Sequence, residues 1–90
     1  MKILKQSSQF KKDLKRIQHN RKKIEKLETV LKLLQQSGTV PAKYQPHLLI
    51  GQYKGYMECH IEGDFLLIWI DEKEDVIKLT RLGSHSDLFK

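Results

Sequence analysis

Apolar positions change their period partway along the chain. Between Gln9 and Gln18, Phe10, Leu14 and Ile17 fall at i, i+4 and i+7, one stripe of a helix, with Ser7 or Ser8 placed to cap its start. From about Arg21 to Gln36, Ile24, Leu27, Leu31 and Leu34 repeat at three- and four-residue spacing, and Val30 and Leu33 widen the stripe. Asn20 breaks or caps between the two, Gly38 offers the left-handed residue that ends the second helix, and Pro41 prevents a restart. Two helices this short cannot sustain the heptads of a coiled coil, so the pattern predicts an antiparallel helix hairpin lying on a sheet. Ahead of them, Met1 to Lys5 reads as a short strand carrying Ile3 and Leu4.

Beyond a loop from Thr39 to Pro46, anchored by Tyr44, the spacing becomes that of strands. His47 to Gly51 enters a short strand, and Gln52 to Gly55 is turn material. Tyr56 to Glu62, Phe65 to Ile70 and Val76 to Leu82 follow, linked by Gly63-Asp64 and by the acidic turn Asp71 to Asp75. Alternation puts Met57, Cys59 and Ile61 on one face and Glu58, His60 and Glu62 on the other, so His60 points away from the helices. The run from Phe65 is apolar on both faces, as a covered central strand should be, and Trp69 is expected to floor the open face. Arg81 shares the parity of Ile77 and Leu79, which buries it against the helices unless the strand bends or ends near Thr80; the pattern leaves both outcomes open. The fold class expected is α+β, an N-terminal strand and helix hairpin on a mainly antiparallel sheet of about four to five strands.

Ninety residues support one modest core and one domain, residues 1–90. The single cysteine, Cys59, excludes an internal disulfide, and there is no charged-then-apolar leader and no run of eighteen apolar residues. These features predict a cytoplasmic protein with no membrane partner. No zinc-type spacing and no acidic calcium loop occurs, so neither a metal nor a cofactor is expected. The net charge of +6 is unevenly placed: residues 1–36 hold eleven Lys or Arg against three acids, and residues 37–90 hold six against eight. Such a basic half suits a polyanion, and Lys11, Lys12, Lys15 and Arg16, largely off the apolar stripe, are its candidate nucleic-acid contacts; a merely solvated helix face fits the same charges.

The richest stretch for chemistry is the last ten residues, from Arg81 to Lys90. Handling a phosphodiester needs a fixed cation, a group that titrates near neutrality and often an aromatic platform, and Arg81, His85 and Phe89 supply one of each. His47, His60 and Asp64 lie at the edges of other predicted elements, where a folded sheet could bring them alongside.

In this order and spacing, His47-Leu48-Leu49-Ile50-Gly51, Glu58-Cys59-His60-Ile61-Glu62-Gly63-Asp64 and Arg81-Leu82-Gly83-Ser84-His85-Ser86-Asp87-Leu88-Phe89 resemble the YafQ branch of the RelE/ParE toxin superfamily. The resemblance covers nearly the whole chain. It implies a small fold of microbial ribonuclease type and the toxin of a toxin–antitoxin pair, one that cleaves messenger RNA, typically on the ribosome, and is silenced by a co-expressed antitoxin. His47, His60, Asp64, Arg81, His85 and Phe89 match positions with which such toxins bind or cut RNA. Three positions depart from the pattern: Met57 stands where many relatives have arginine, removing a possible phosphate contact, Gly63 where proline is common, and Phe65 where some have tryptophan.

Metal-free RNA cleavage activates the ribose 2'-hydroxyl against its own phosphate, and so needs a base, an acid for the leaving 5'-oxygen and a cation for the phosphorane. The expected assignment makes His85 the acid, His60 the base with Asp64 orienting it or sharing its duty, Arg81 the phosphate grip, His47 an aid to binding or proton transfer, and Phe89 a stacking platform. Each residue has a structural alternative: His47 a loop cap, Asp64 a turn former, His60 a cross-strand partner, Phe89 a tail anchor, Arg81 an ion pair with Asp87 or Asp64. The competing functional class is a non-catalytic binder of nucleic acid or protein, a gyrase poison among them.

Overall fold

The computed structural model describes residues 1–72 and 74–89. Strand β1 (Ile3–Gln6) leads into helices α1 (Ser8–Ile17) and α2 (Arg21–Ser37), after which the chain reaches the far edge of the sheet at β2 (His47–Leu48). It then walks back through β3 (Met57–Glu62), β4 (Phe65–Asp71) and β5 (Val76–Gly83) to end in a short helix, α3 (His85–Leu88). The sheet order is β1-β5-β4-β3-β2, with β1 parallel to β5 and every other pairing antiparallel. This is the α+β fold expected, with β1 as the fifth strand and α3 as an element that the pattern did not announce. Among the described residues no helix is long and apolar enough to cross a membrane.

The helix ends follow local chemistry. Ser7 caps α1, its hydroxyl accepting from the Phe10 N–H and donating to the Thr80 carbonyl, so the same side chain ties helix to sheet. Asn20 accepts from the Lys23 N–H at the start of α2. Gly38 ends it at φ 79, a left-handed conformation that calls for glycine.

Two apolar layers flank the sheet. Under the helices, Phe10, Leu27, Val30 and Leu34 pack on Cys59, Phe65, Leu67, Trp69, Ile77, Leu79 and Leu82. Trp69 therefore belongs to the helix-side core. The open face is floored instead by Leu66 and Ile68, which Leu88 of α3 covers with Leu49, Tyr53 and Tyr56. Met57 also packs on the helix side, so the missing arginine takes no contact from the histidine face.

A bulge in β5 resolves where Arg81 points. Trp69 pairs with Leu79 and its neighbour Ile68 with Arg81, which leaves Thr80 as an extra residue. The strand thus sends both Leu79 and Leu82 to the helices and turns Arg81 to the open face beside Ile68. A second irregularity between His60 and Glu62 reverses the expected face of Glu62, which pairs with Phe65 and reaches Lys26 on α2.

With Leu34 wholly buried, Leu34→Ala is expected to cost about 2–5 kcal/mol in urea unfolding. Leu48→Ala, at an exposed edge position, should stay within about 0.5 kcal/mol, and equal effects at the two sites would contradict this placement of the core.

Candidate active site

The sheet register assembles the site. His47 pairs with Glu58, Glu58 with Ile68, and Ile68 with Arg81, so one row crossing four strands presents these side chains to the open face. The next row sets His60 opposite Leu66 and Leu66 opposite Gly83, two residues before His85. The aromatic rings then form a chain across the face. Centroid separations are 6.1 Å from His47 to His60, 5.9 Å from His60 to His85, 5.9 Å from His85 to Phe89 and 5.6 Å from Phe89 to Tyr53.

His85 opens α3, and local geometry fixes its direction. Ser84 accepts from the Asp87 N–H while Asp87 accepts from the Ser84 N–H, a reciprocal cap of the short helix. Gly83 just before it has φ 153, and a Cβ there would lie 2.9 Å from Asp87 Oδ2, so this approach needs glycine. Asp64, in the β3–β4 turn, accepts from the His85 N–H at 2.9 Å and meets His85 Nδ1 at 2.6 Å. These bonds, the backbone one first, hold the Asp64 carboxyl below its usual range. An ionised acceptor at Nδ1 places the hydrogen there and leaves Nε2 to exchange protons. Asp64 thus orients His85, not His60.

The other two histidines are held in a similar way. His60 Nδ1 faces the Gly63 carbonyl at 3.3 Å and His47 Nδ1 the Gln45 carbonyl at 2.8 Å; a carbonyl only accepts, so both Nδ1 atoms donate. Their Nε2 atoms turn to Glu58 Oε1, at 3.1 Å from His47 and 4.0 Å from His60. Glu58 is 3 % exposed, and among the described residues its Oε2 meets no hydrogen-bonding partner. Strand parity had put Glu58 beside His60, but its place between two imidazoles depends on β2 docking against β3. Cys59 is buried on the helix side, where desolvation and then Glu58 push its thiol up to about 12, leaving it an inert packing group.

Arg81 reaches the face but is anchored from behind. Its Nε and Nη2 donate to Asp13 of α1 at 2.9 and 3.3 Å, and its Nη1 to the Tyr53 hydroxyl at 3.5 Å. The ion-pair partner is therefore Asp13, not Asp87 or Asp64. Hydrogen bonding to Asp13 raises the guanidinium above its ordinary range. Asp13 is buried, and its position three residues after Phe10, inside the apolar stripe of α1, was the signal that could have found it.

The basic candidates of α1 divide. Arg16 turns back to Asp13 and Asp87, whereas Lys11 and Lys15 flank an apolar groove with Leu14, Ile24 and Leu31 that shares no residue with the histidine cluster. Lys12 is exposed. Beside His60 a separate cleft of about 580 Å³ opens between α2 and the loop after it, with Lys26, Lys43, Gln45 and Glu62 on its walls. Among the described residues, no three His, Cys, Asp or Glu side chains gather so as to hold a metal ion.

Residues 2–90 match the family described as the bacterial toxin of a type II toxin–antitoxin system, YafQ. The mRNA interferase toxin YafQ of Escherichia coli is 36% identical over 84 residues, 92% of this chain and 90% of that protein. In the crystal structure of an E. coli DinJ-YafQ complex, a chain 33% identical superposes with a TM-score of 0.86, covering all of both chains. A metal-bound toxin from Helicobacter pylori, 38% identical, gives 0.86 over 99% of this chain and all of that one. With the histidine row, the capped turn at His85 and a match over nearly its full length, the chain belongs to the YafQ family of bacterial type II toxins.

Proposed function

We propose that this toxin is an endoribonuclease that cuts messenger RNA on the ribosome by attack of the ribose 2'-hydroxyl on the adjacent phosphate, so stopping translation in the cytoplasm, and that a cognate antitoxin restrains it. The observation that carries the reading is the convergence of three imidazoles, each with Nδ1 engaged by an acceptor, along one row of rings. Such an array leaves Nε2 atoms to move protons on both sides of a phosphate.

His85, oriented by Asp64, donates the proton to the departing 5'-oxygen. His60 takes the 2'-hydroxyl proton. His47, sharing Glu58 with His60, supports that transfer. Arg81 offers the Nη1 edge of a fixed guanidinium to the phosphorane oxygens. Phe89, at the end of the ring row and 39 % exposed, stacks on a base. Lys11, Lys12 and Lys15 of α1, away from the cleaving face, contact the phosphate backbone of ribosomal RNA. The E. coli complex with DinJ supports an antitoxin partner, and the basic first third of the chain suits an acidic segment.

Primer extension on messages from a translation extract is expected to show new 5' ends inside reading frames with the wild-type chain. With His85→Ala the rate should fall by about a hundredfold or more; intact messages with both proteins, despite arrested growth, would favour a gyrase poison or a non-catalytic binder. Cleavage followed against pH should give a bell, because one imidazole must be neutral and another charged in the same cycle, and a flat profile from about pH 5 to 8 would exclude the two-imidazole scheme.

Asp64 also links folding to pH. Its folded-state value lies below the unfolded one, so its contribution is present above about pH 4 and is lost as pH falls through the folded value. The urea midpoint of the wild type should therefore drop more steeply below about pH 4 than that of Asp64→Asn; parallel curves would mean that the bond to His85 adds nothing in solution.

A further inference from the structure

The most elaborately bonded side chain outside the histidine row is Asp13, on the inner face of α1. It is 1 % exposed, and its carboxylate collects Arg81 Nε at 2.9 Å, Arg81 Nη2 and Arg16 Nη2 each at 3.3 Å, and the Leu82 N–H at 3.0 Å. The last contact has a simple origin. β1 pairs with β5 only as far as Leu79, and Ser7 takes over at Thr80, so the N–H of Leu82 lies past the end of β1. Asp13 supplies the acceptor that a longer β1 would have given.

That backbone bond alone does not call for a buried charge held on two oxygens. A carboxylate inside an apolar stripe is costly, and well-packed apolar side chains commonly replace buried ion pairs without loss of stability. The paired charge does fix direction. An arginine side chain has several rotatable bonds, and engaging the Nε–Nη2 edge on a planar carboxylate selects one orientation of the guanidinium. Here the selected orientation sends Nη1 towards the Tyr53 hydroxyl, on the face where Arg81 shares a row with Glu58 and His47. Asp13 does not serve Arg81 alone, because Arg16, itself 3.9 Å from Asp87, contacts the same carboxylate.

We propose that Asp13 is a positioning residue for RNA cleavage, holding Arg81 from behind so that its Nη1 side meets the phosphorane as charge develops there. The inference rests on the reading of Arg81 as the phosphate contact. It adds that α1, which carries no reacting group, sets the catalytic geometry through one carboxylate.

A double-substitution cycle tests it, with single-turnover cleavage of a ribosome-bound message at saturating toxin and a thermal melt of each protein. Arg81→Ala should slow cleavage by about a hundredfold. Asp13→Asn, nearly isosteric, should slow it by about tenfold with the half-saturating toxin concentration almost unchanged, since a displaced guanidinium loses transition-state contact more than binding. In the Arg81→Ala background the same Asp13→Asn should cost less than about twofold, because nothing remains for it to position.

If the two losses multiply, or Asp13→Asn cuts like the wild type while Arg81→Ala does not, Asp13 has no positioning role and the phosphate role of Arg81 stands. If Arg81→Ala cuts like the wild type, the phosphate role and this inference fall together. Should Asp13→Asn melt below the assay temperature, Asp13→Glu retains the charge and displaces it by one methylene, and the same non-additivity with Arg81→Ala is required of it.

Discussion

Between Leu79 and Leu82 the last strand must give the helices two apolar side chains three residues apart, which an unbroken alternation cannot do. Thr80, left over in the pairing with β4, absorbs the odd residue. Without that bulge Arg81 would face the helices; with it, the guanidinium joins the row that crosses from His47 through Glu58 and Ile68. The bulge also sets the face on which the strand arrives at Gly83, and so how His85 enters α3. The position of each candidate side chain at the C-terminal end thus depends on how one strand reconciles a core of fixed geometry with an odd residue count.

Three carboxylates tie the site together, and burial distinguishes their tasks. Asp64 lies in solvent, where its bonds to His85 are screened, and its effect is to choose a tautomer and a ring direction. Asp13 is enclosed and meets its donors at full strength, holding the guanidinium of Arg81 and the strand backbone at Leu82 together. Glu58 is enclosed too, but faces imidazoles and, among the described residues, keeps one oxygen without a partner. A buried carboxylate so placed responds to any change of charge on the histidines it faces.

The two faces of the sheet divide the labour of a small toxin. The helix side is packed with apolar residues, including Trp69 and the inert Cys59, and gives the stability that ninety residues barely afford. The open side has a thin apolar floor of Leu66, Ile68 and Leu88, on which the polar and aromatic groups stand in rows. The chain in the E. coli DinJ-YafQ complex shares this fold over its whole length at 33% identity.

Much of this could be read from the sequence, because helix caps, apolar period and strand alternation are local properties. Ser7, Asn20 and Gly38 do at the helix ends what their types suggest, and the face of His60 followed from counting. The resemblance likewise named six side chains that the fold gathers on one face. What counting could not reach were the places where the count breaks. Trp69 and Glu62 were expected on the wrong faces, and Arg81 was left undecided, because sheet side depends on which strand covers which and a bulge reverses parity without a sequence mark. Asp13 and Glu58 were passed over for a related reason. A carboxylate in an apolar pattern looks like a surface residue until the groups that meet it, sixty-eight residues away for Asp13 and on a neighbouring strand for Glu58, are brought beside it by folding. Local chemistry therefore determined the elements and the candidate side chains, and the long-range pairing of the sheet decided which groups meet.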